Sequence, residues 1–274
     1  MRGARTGALF VALLVLPWLG GHADAEPAGP PSAAGAPQTA AADAETYARC
    51  MKLARADPHA AQSLARSWLA RGGAHPAAHC AAVALITLGE YQKGATRLQA
   101  LAKAMTTAPA ALRADVLDQA AQAWLLAGDP VRAYATAGEA VSLQPSDPNL
   151  LIDRAEAAAE AGYLNRAVAD LDRVLKTNPD QVDALIYRAS AYRALDRLDP
   201  ARADIDKALA RAPHSPAALL ERGNIRRLEG NAAGARRDWQ EVGEVAPGSP
   251  EDMAARANLE HLAQAARVGA TNSP

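Results

Sequence analysis

Four stretches of the sequence share one spacing, and that spacing decides the fold. They are AYATAGEAVSLQP (residues 133–145), AVADLDRVLKTNP (167–179), ARADIDKALARAP (201–213) and ARRDWQEVGEVAP (235–247). Each stretch begins with alanine and ends with proline, and the interval from one closing proline to the next is the same every time. A fixed period of this length predicts a chain of repeated structural units, each packed on its neighbours.

Each period also contains two sets of apolar residues at helical spacing. In the second period, Leu151, Ala155 and Ala158 follow one another at intervals of three or four residues and share one face of a helix. Ala167 and Leu171 do the same in a second helix. The alanines are small, so the two helices can approach closely, and the closing proline ends the second helix. The period therefore predicts a helix–turn–helix hairpin.

This pattern resembles the tetratricopeptide repeat, a helix–turn–helix unit of about 34 residues. The resemblance covers residues 114–247 in strict phase. It implies an all-α fold, a right-handed superhelical solenoid of antiparallel helix pairs. The four predicted repeats are residues 114–147, 148–181, 182–215 and 216–249.

The segments on either side of the repeats are also predicted to be helical. Residues 43–113 match the repeat pattern poorly, and we interpret them as degenerate N-terminal hairpins of the same kind. Residues 249–267 are predicted to form a capping helix, because a repeat stack needs its last apolar surface covered. Residues 268–274 are predicted to be a tail.

Residues 1–25 have the three parts of a secretory signal peptide. Arg2 and Arg5 give a positive start, an apolar run covers residues 8–19, and residues 23–25 (Ala-Asp-Ala) match a cleavage site. The alternative is an uncleaved anchor, but this run is too short to span about 30 Å of hydrocarbon as a helix. We expect the processed protein to be periplasmic and not inserted in a membrane.

The stretch that follows the signal peptide has a different composition. Residues 26–42 are rich in proline, alanine and glycine and show no apolar periodicity. Such a segment cannot bury enough apolar surface to order itself. It is therefore predicted to be a disordered linker.

Composition and motifs narrow the range of functions. The net charge is −1, so no electrostatic feature favours nucleic acid or an anionic membrane surface as a partner. The sequence contains no glycine-rich phosphate-binding loop, no G-x-S-x-G motif and no H-E-x-x-H motif. We therefore predict that the protein is not an enzyme and uses no cofactor.

Cys50 and Cys80 are the only cysteines in the sequence. The repeat register places them on neighbouring first helices, and an even pair in an exported protein favours a disulfide. The bond would close a loop of about 30 residues and stabilise the N-terminal hairpins by about 2–4 kcal/mol. Two free thiols are the alternative, whereas a redox pair is disfavoured because there is no C-x-x-C motif.

A short cluster of His75, His79 and Cys80 raises the question of a metal site. Zinc would need four ligands in a tetrahedral arrangement. The simpler interpretation is that His75 precedes the helix that starts at Pro76. We therefore predict no metal.

In the tetratricopeptide-repeat family, peptides lie along a concave groove that the first helix of each repeat lines. The resemblance assigns mostly acidic side chains to this groove in the early repeats, and it adds arginines in the later ones. A ligand with a basic or mixed-charge segment would complement these charges. The predicted groove residues are Asp118, Gln122, Asn149, Ile152, Asp153, Glu156, Asp183, Tyr187, Ser190, Arg193, Leu220, Glu221, Asn224 and Arg227.

These features predict a scaffold or adaptor of the cell envelope, which binds a peptide or protein segment in the groove. The alternative is a structural protein that associates with itself through a terminal face or through the concave surface. Light scattering distinguishes the two. An adaptor is a monomer that gains mass only with its partner, whereas a self-associating protein is a dimer or larger by itself.

Overall fold

The computed structural model describes residues 37–271, and every regular element in that range is an α-helix. The predicted all-α fold is confirmed over these residues. The predicted signal peptide and residues 26–36 of the predicted linker lie outside the described residues. Between residues 37 and 271, no helix is both long enough and apolar enough to cross a membrane. The chain divides into two compact units, one that ends at Ala161 and one that begins at Gly162.

The first unit contains seven helices within its described residues. They are α1 (Pro37–Ala56), α2 (Pro58–Leu69), α3 (Ala74–Thr87), α4 (Tyr91–Ala104), α5 (Ala110–Leu126), α6 (Pro130–Leu143) and α7 (Pro148–Glu160). Each helix packs on the next one in sequence, and the short connections make neighbours antiparallel. Alternate helices also contact each other, α1 with α3 and α5 with α7. These alternate helices are the first helices of their pairs.

The second unit contains six helices within its described residues. They are α8 (Leu164–Thr177), α9 (Val182–Ala194), α10 (Leu198–Arg211), α11 (Pro216–Leu228), α12 (Ala232–Val245) and α13 (Pro250–Thr271). Here too each helix packs on the next, and the first helices α9, α11 and α13 contact one another in order. Each unit is therefore a stack of helix pairs.

The helix starts follow the period of the sequence. The first helices α7, α9, α11 and α13 begin at residues 148, 182, 216 and 250. The second helices α6, α8, α10 and α12 begin at residues 130, 164, 198 and 232. Both series advance by one constant interval, which equals the spacing of the closing prolines.

The ends of the described chain differ from the sequence-based boundaries. Helix α1 begins at Pro37, so residues 37–42 are helical although they are predicted as part of the linker. Proline suits the first position of a helix and alanine suits its interior, so this stretch can extend the helix that follows it. Helix α13 continues to Thr271, past the predicted end at residue 267.

Local side chains explain where several helices begin. Oδ1 of Asp147 accepts hydrogen bonds from the backbone N–H groups of Asn149 at 2.8 Å and Leu150 at 3.3 Å. Oγ of Ser215 accepts from the N–H of Ala218 at 3.4 Å. Both residues precede a proline at the first helical position, and they satisfy N–H groups that have no partner within the helix.

One position in each period turns the chain between its two helices. Gly128, Gly162 and Gly230 occupy it with φ angles of 72°, 78° and 81°. Asp196 holds the same position with a φ angle of 59°. Positive φ favours glycine, although aspartate tolerates it better than most residues do. Asp196 therefore keeps the same turn geometry in the repeat that lacks a glycine at this position.

Candidate functional site

The predicted groove residues lie on first helices of both units and form two separate sets. The α5–α7 set is Asp118, Gln122, Asn149, Ile152, Asp153 and Glu156. The α9–α11 set is Asp183, Tyr187, Ser190, Arg193, Leu220, Glu221, Asn224 and Arg227.

Burial divides these residues into those that reach the surface and those that do not. Ile152 and Leu220 are buried in this structure, although they are predicted to line a ligand surface. Both are apolar and lie at the border of the core-facing side of their helix, where packing covers them. Asn149, Asp183 and Arg227 are exposed. The other members are half-buried, apart from two acids described below.

Three carboxyl groups of the α5–α7 set come together, and we call Asp118, Asp153 and Glu156 the acidic cluster. The carboxyl group of Asp118 is hydrogen-bonded to that of Asp153. Asp118 is 2% exposed, and its Oδ1 atom is buried with no hydrogen-bond partner. Glu156 follows Asp153 by one turn on α7. A hydrogen bond between two carboxyl groups requires a proton on one of them.

Burial raises the pKa of every member of the acidic cluster. For Asp118 burial is the largest cause and the charge of Asp153 adds to it, so its pKa lies well above the usual range. Burial raises the pKa of Asp153 more than the hydrogen bond with Asp118 lowers it. Burial, with the charges of Asp153 and Glu160, raises the pKa of Glu156 to about 8. The cluster is therefore only partly ionised at neutral pH. From the sequence alone, all three carboxyl groups would be expected to be charged.

The polar side chains of the α9–α11 set bind one another. Nε of Arg193 donates to Oε1 of Glu221 at 2.5 Å, and Nδ2 of Asn224 donates to Oε2 of the same carboxylate at 3.3 Å. Nδ2 of Asn258 on α13 donates to Oδ1 of Asn224 at 3.0 Å. Glu221 is buried. These contacts join α9, α11 and α13, so Arg193 and Asn224 already have partners within the fold.

Three arginines outside the predicted set join first helices to second helices in the second unit. Arg188 on α9 donates to both carboxylate oxygens of Asp204 on α10, at 2.8 and 2.7 Å. Arg222 on α11 donates to Oδ1 of Asp238 on α12 at 3.1 and 2.7 Å. Arg226 donates to both oxygens of Asp238 at 2.7 Å. Asp238 is 2% exposed, so these charge-assisted bonds compensate a buried carboxylate.

Sequence reasoning does not predict these ion pairs, although the sequence contains a signal for them. Arg188 and Asp204 are 16 residues apart, and Arg222 and Asp238 have the same separation one period later. An oppositely charged pair that recurs at one separation and one repeat position indicates a contact between the two helices of a hairpin. Its function is structural, because both partners are used within the fold.

His79 belongs to a hydrogen-bonded chain across three helices. Its Nδ1 lies 2.9 Å from the hydroxyl of Tyr47 on α1, and its Nε2 lies 2.8 Å from Oε1 of Gln119 on α5. Burial lowers the pKa of His79, so its ring is neutral at pH 7. Among residues 37–271, no group of three or more histidine, cysteine or acidic side chains is placed to hold a metal ion.

Cys50 on α1 and Cys80 on α3 lie at disulfide distance. Their Sγ atoms are 1.99 Å apart and their Cα atoms 6.1 Å apart. Both side chains are buried in a cluster of small residues that includes Ala54, Ala61 and Ala84. Alanines at these positions leave room for the two helices to approach as closely as a disulfide requires.

Comparison with known proteins relates the chain to others through its fold. No protein-family model and no curated protein matches the sequence. The chain resembles TTC0263, a thermophilic TPR protein of Thermus thermophilus, at 21% identity over 70% of this chain and 100% of that one, with a TM-score of 0.55. It also resembles a tetratricopeptide repeat protein of Parabacteroides merdae at 20% identity, over 73% and 81% of the two chains, with a TM-score of 0.56.

A third solved structure is YrrB, which is described as a TPR protein with an unusual peptide-binding site. It matches at 18% identity over 68% of this chain and 97% of YrrB, with a TM-score of 0.51. At these identities the similarity establishes the fold alone. The chain therefore has the tetratricopeptide-repeat fold that the fixed period of its sequence predicts.

Proposed function

We propose that the protein is a non-enzymatic interaction scaffold of the cell envelope, which binds a peptide or protein segment along its first helices. The observation that carries the proposal is the α5–α7 face. There Gln122, Asp153 and Glu156 are half-buried and Asn149 is exposed. A polar, partly enclosed surface on rigid helices suits an extended ligand.

The kind of ligand follows from the charge of this face and from one of the solved structures. Half of the α5–α7 set is acidic and none of it is basic, so a basic or mixed-charge segment complements it. The peptide-binding site of YrrB, a protein of the same fold, supports a peptide as the class of ligand. Within the second unit, the α9–α11 set by itself has the exposed Arg227 and Asp183, which suit a ligand of mixed charge.

The envelope location rests on the signal-peptide features of residues 1–25. Cleavage after Ala25 leaves Glu26 as the first residue of the exported protein. Mass spectrometry of the protein purified from a periplasmic fraction measures this terminus. A chain that still begins at Met1, or that stays in the cytoplasmic fraction, contradicts the location.

Affinity capture from an envelope extract tests the proposal. The wild-type protein is compared with an Asp153→Lys, Glu156→Lys variant, which replaces two acids of the α5–α7 face with lysines. The matched control is Glu139→Lys with Asp206→Lys, which makes the same kind of replacements at exposed positions of α6 and α10. We expect one partner to be enriched by the wild type and by the control, and to be lost with the first variant.

Two results contradict the proposal. One is equal capture by the wild type and the Asp153→Lys, Glu156→Lys variant, which would show that the α5–α7 face does not take part in binding. The other is a protein that captures nothing and is a stable dimer or larger by light scattering, which would favour self-association.

A further inference from the structure

The N-terminal part of α1, residues 40–49, is buried at few side chains. Within this stretch Thr46 and Tyr47 are half-buried, and the other residues are exposed. Full burial begins at Cys50 and continues at Ala54, where α1 packs on α2 and α3. We call residues 40–49 the strap. Its attachment to the fold therefore depends mainly on the contacts that Tyr47 makes.

Side-chain hydrogen bonds attach the strap to α2 and α3. The hydroxyl of Tyr47 lies 2.9 Å from Nδ1 of His79 on α3. Nε1 of Trp68 on α2 donates to Oδ1 of Asp43 at 3.1 Å, but Asp43 is exposed. Water competes for the exposed bond, whereas a bond between half-buried groups is electrostatically stronger. The contact between Tyr47 and His79 is therefore the main anchor of the strap.

The partners of His79 determine the role of each ring nitrogen. Oε1 of Gln119 on α5 can only accept, so Nε2 of His79, 2.8 Å away, carries the ring proton. Nδ1 of the neutral ring then accepts from the hydroxyl of Tyr47. Burial raises the pKa of Tyr47, so its hydroxyl stays protonated at neutral pH and can donate. The anchor in this form requires a neutral His79.

A proton on Nδ1 of His79 turns this acceptor into a donor. The hydroxyl of Tyr47 then loses the acceptor of its own proton, and the ring brings a positive charge into a half-buried position. Burial lowers the pKa of His79 more than its bond with Gln119 raises it, and no charge on the surrounding helices shifts it. The charged side chains and other histidines of these helices are Asp43, Glu45, Arg49, Lys52 and Arg55 on α1, His59 and Arg66 on α2, His75 on α3, Lys93, Arg97 and Lys103 on α4, and Arg113, Asp115 and Asp118 on α5.

We propose that the strap is released from α3 in acid, and that His79 is the group that responds to pH. In the released form His79 binds a proton as an ordinary histidine does, with a pKa of 6.5. Because this pKa is lower in the docked form, docking is fully favoured above pH 6.5 and is lost as the pH falls through the lower value. The disulfide between Cys50 and Cys80 follows the strap directly, so α1 stays attached to α3 and release is limited to the residues before it.

The acidic cluster responds to pH in the opposite sense. Burial raises the pKa of its carboxyl groups, so protonation in acid stabilises the fold at α5 and α7. A loss of protection in acid that is confined to the strap therefore distinguishes His79 from the cluster. This inference does not depend on the proposed function.

Hydrogen exchange followed by mass spectrometry tests the strap in the oxidised full chain at pH 7.5 and pH 5. Protection factors are compared, because the intrinsic exchange rate itself changes with pH. We expect the protection of the amides of residues 41–49 to fall by about threefold or more from the higher to the lower pH. The limit is about thirtyfold, when the docked form binds no proton. The amides of α11 should keep their protection.

Two variants and one control assign the effect to the anchor. His79→Gln keeps a donor and an acceptor but binds no proton, so we expect equal protection of the strap at both pH values. Tyr47→Phe removes only the hydroxyl, so we expect low protection at both. His75→Gln changes an exposed histidine of the same helix and should keep the wild-type response.

Several outcomes overturn the inference. They are wild-type protection that does not depend on pH, an acid-induced loss that is equal in the strap and in α11, a wild-type response in folded His79→Gln, and loss of the response in His75→Gln. If His79→Gln does not fold, Tyr47→Phe decides. Wild-type protection of its strap at pH 7.5, or a response to pH as large as that of the wild type, overturns the inference as well.

Discussion

At the scale of single residues, the carboxyl group of Glu156 links the stability of the fold to pH. Burial raises its pKa from the ordinary value of 4.5 to about 8. Below pH 4.5 the group is protonated in both the folded and the unfolded chain. As the pH rises from 4.5 towards 8, the unfolded chain ionises first, so the free energy of unfolding falls over this interval.

Glu156→Gln removes this titration and keeps the size of the side chain. We expect the variant to match the wild type at pH 4 and to be more stable than it at pH 9, by about 1–3 kcal/mol. Urea unfolding at the two pH values measures the difference. Glu139→Gln, at an exposed position, should show no such dependence. A Glu156→Gln variant whose stability relative to the wild type is the same at both pH values would contradict the buried position of this carboxyl group.

Gly223 on α11 shows how a single residue makes room for a large neighbour. A Cβ atom added there would lie 2.4 Å from Nε1 of Trp239 on α12, which is fully buried. One period earlier the same two positions hold Ala189 and Ile205. Glycine at position 223 therefore leaves the space that the larger side chain of Trp239 occupies.

We expect Gly223→Ala to lower the free energy of unfolding by about 1–3 kcal/mol, because overpacking outweighs the helix preference of alanine. In a Trp239→Leu background the same change should cost less or become favourable. A double-mutant cycle by chemical denaturation measures the coupling. Additive losses would show that the two positions do not share one packing space.

At the scale of elements, α1 to α4 match the repeat pattern least well, and the Cys50–Cys80 pair ties α1 to α3. We expect the Cys50→Ala, Cys80→Ala variant to be less stable than the oxidised wild type by about 2–4 kcal/mol. Chemical denaturation with and without a reductant measures this. The reductant should lower the free energy of unfolding of the wild type to that of the variant, and it should not change that of the variant. Two titratable thiols in the denatured wild-type protein, prepared without reductant, would contradict a bonded pair.

Helix starts can be predicted from the sequence because the signals are local. The Asp147-Pro148 and Ser215-Pro216 pairs each place a capping side chain before a proline, and both begin helices in the structure. The prediction of a linker at Pro37 is wrong, because a proline among alanines is compatible with a linker and with a helix start. The ion pair between Arg188 and Asp204 is not predicted, although its separation recurs in the next period.

The chemistry of the candidate site can be predicted only in part. The family register identifies which residues lie on first helices, and it assigns acidic residues to α5 and α7. The register does not predict that Asp118 is buried against Asp153. That contact joins helices far apart in sequence, and it depends on how closely the two helices pack. For the same reason the register places Ile152 on a surface that the core in fact covers.

At the scale of the whole molecule, we propose that a partner contacts the first helices and not the second helices. Site-specific photo-crosslinking in cells tests this most directly, with the reactive residue at position 122 on α5 or at position 139 on α6. Gln122 is half-buried on the proposed face, whereas Glu139 is exposed on a second helix. We expect position 122 to give one crosslinked product with a different protein and position 139 to give none. A product from position 139 alone, or a product from position 122 made of two copies of this chain, would contradict the proposed binding face.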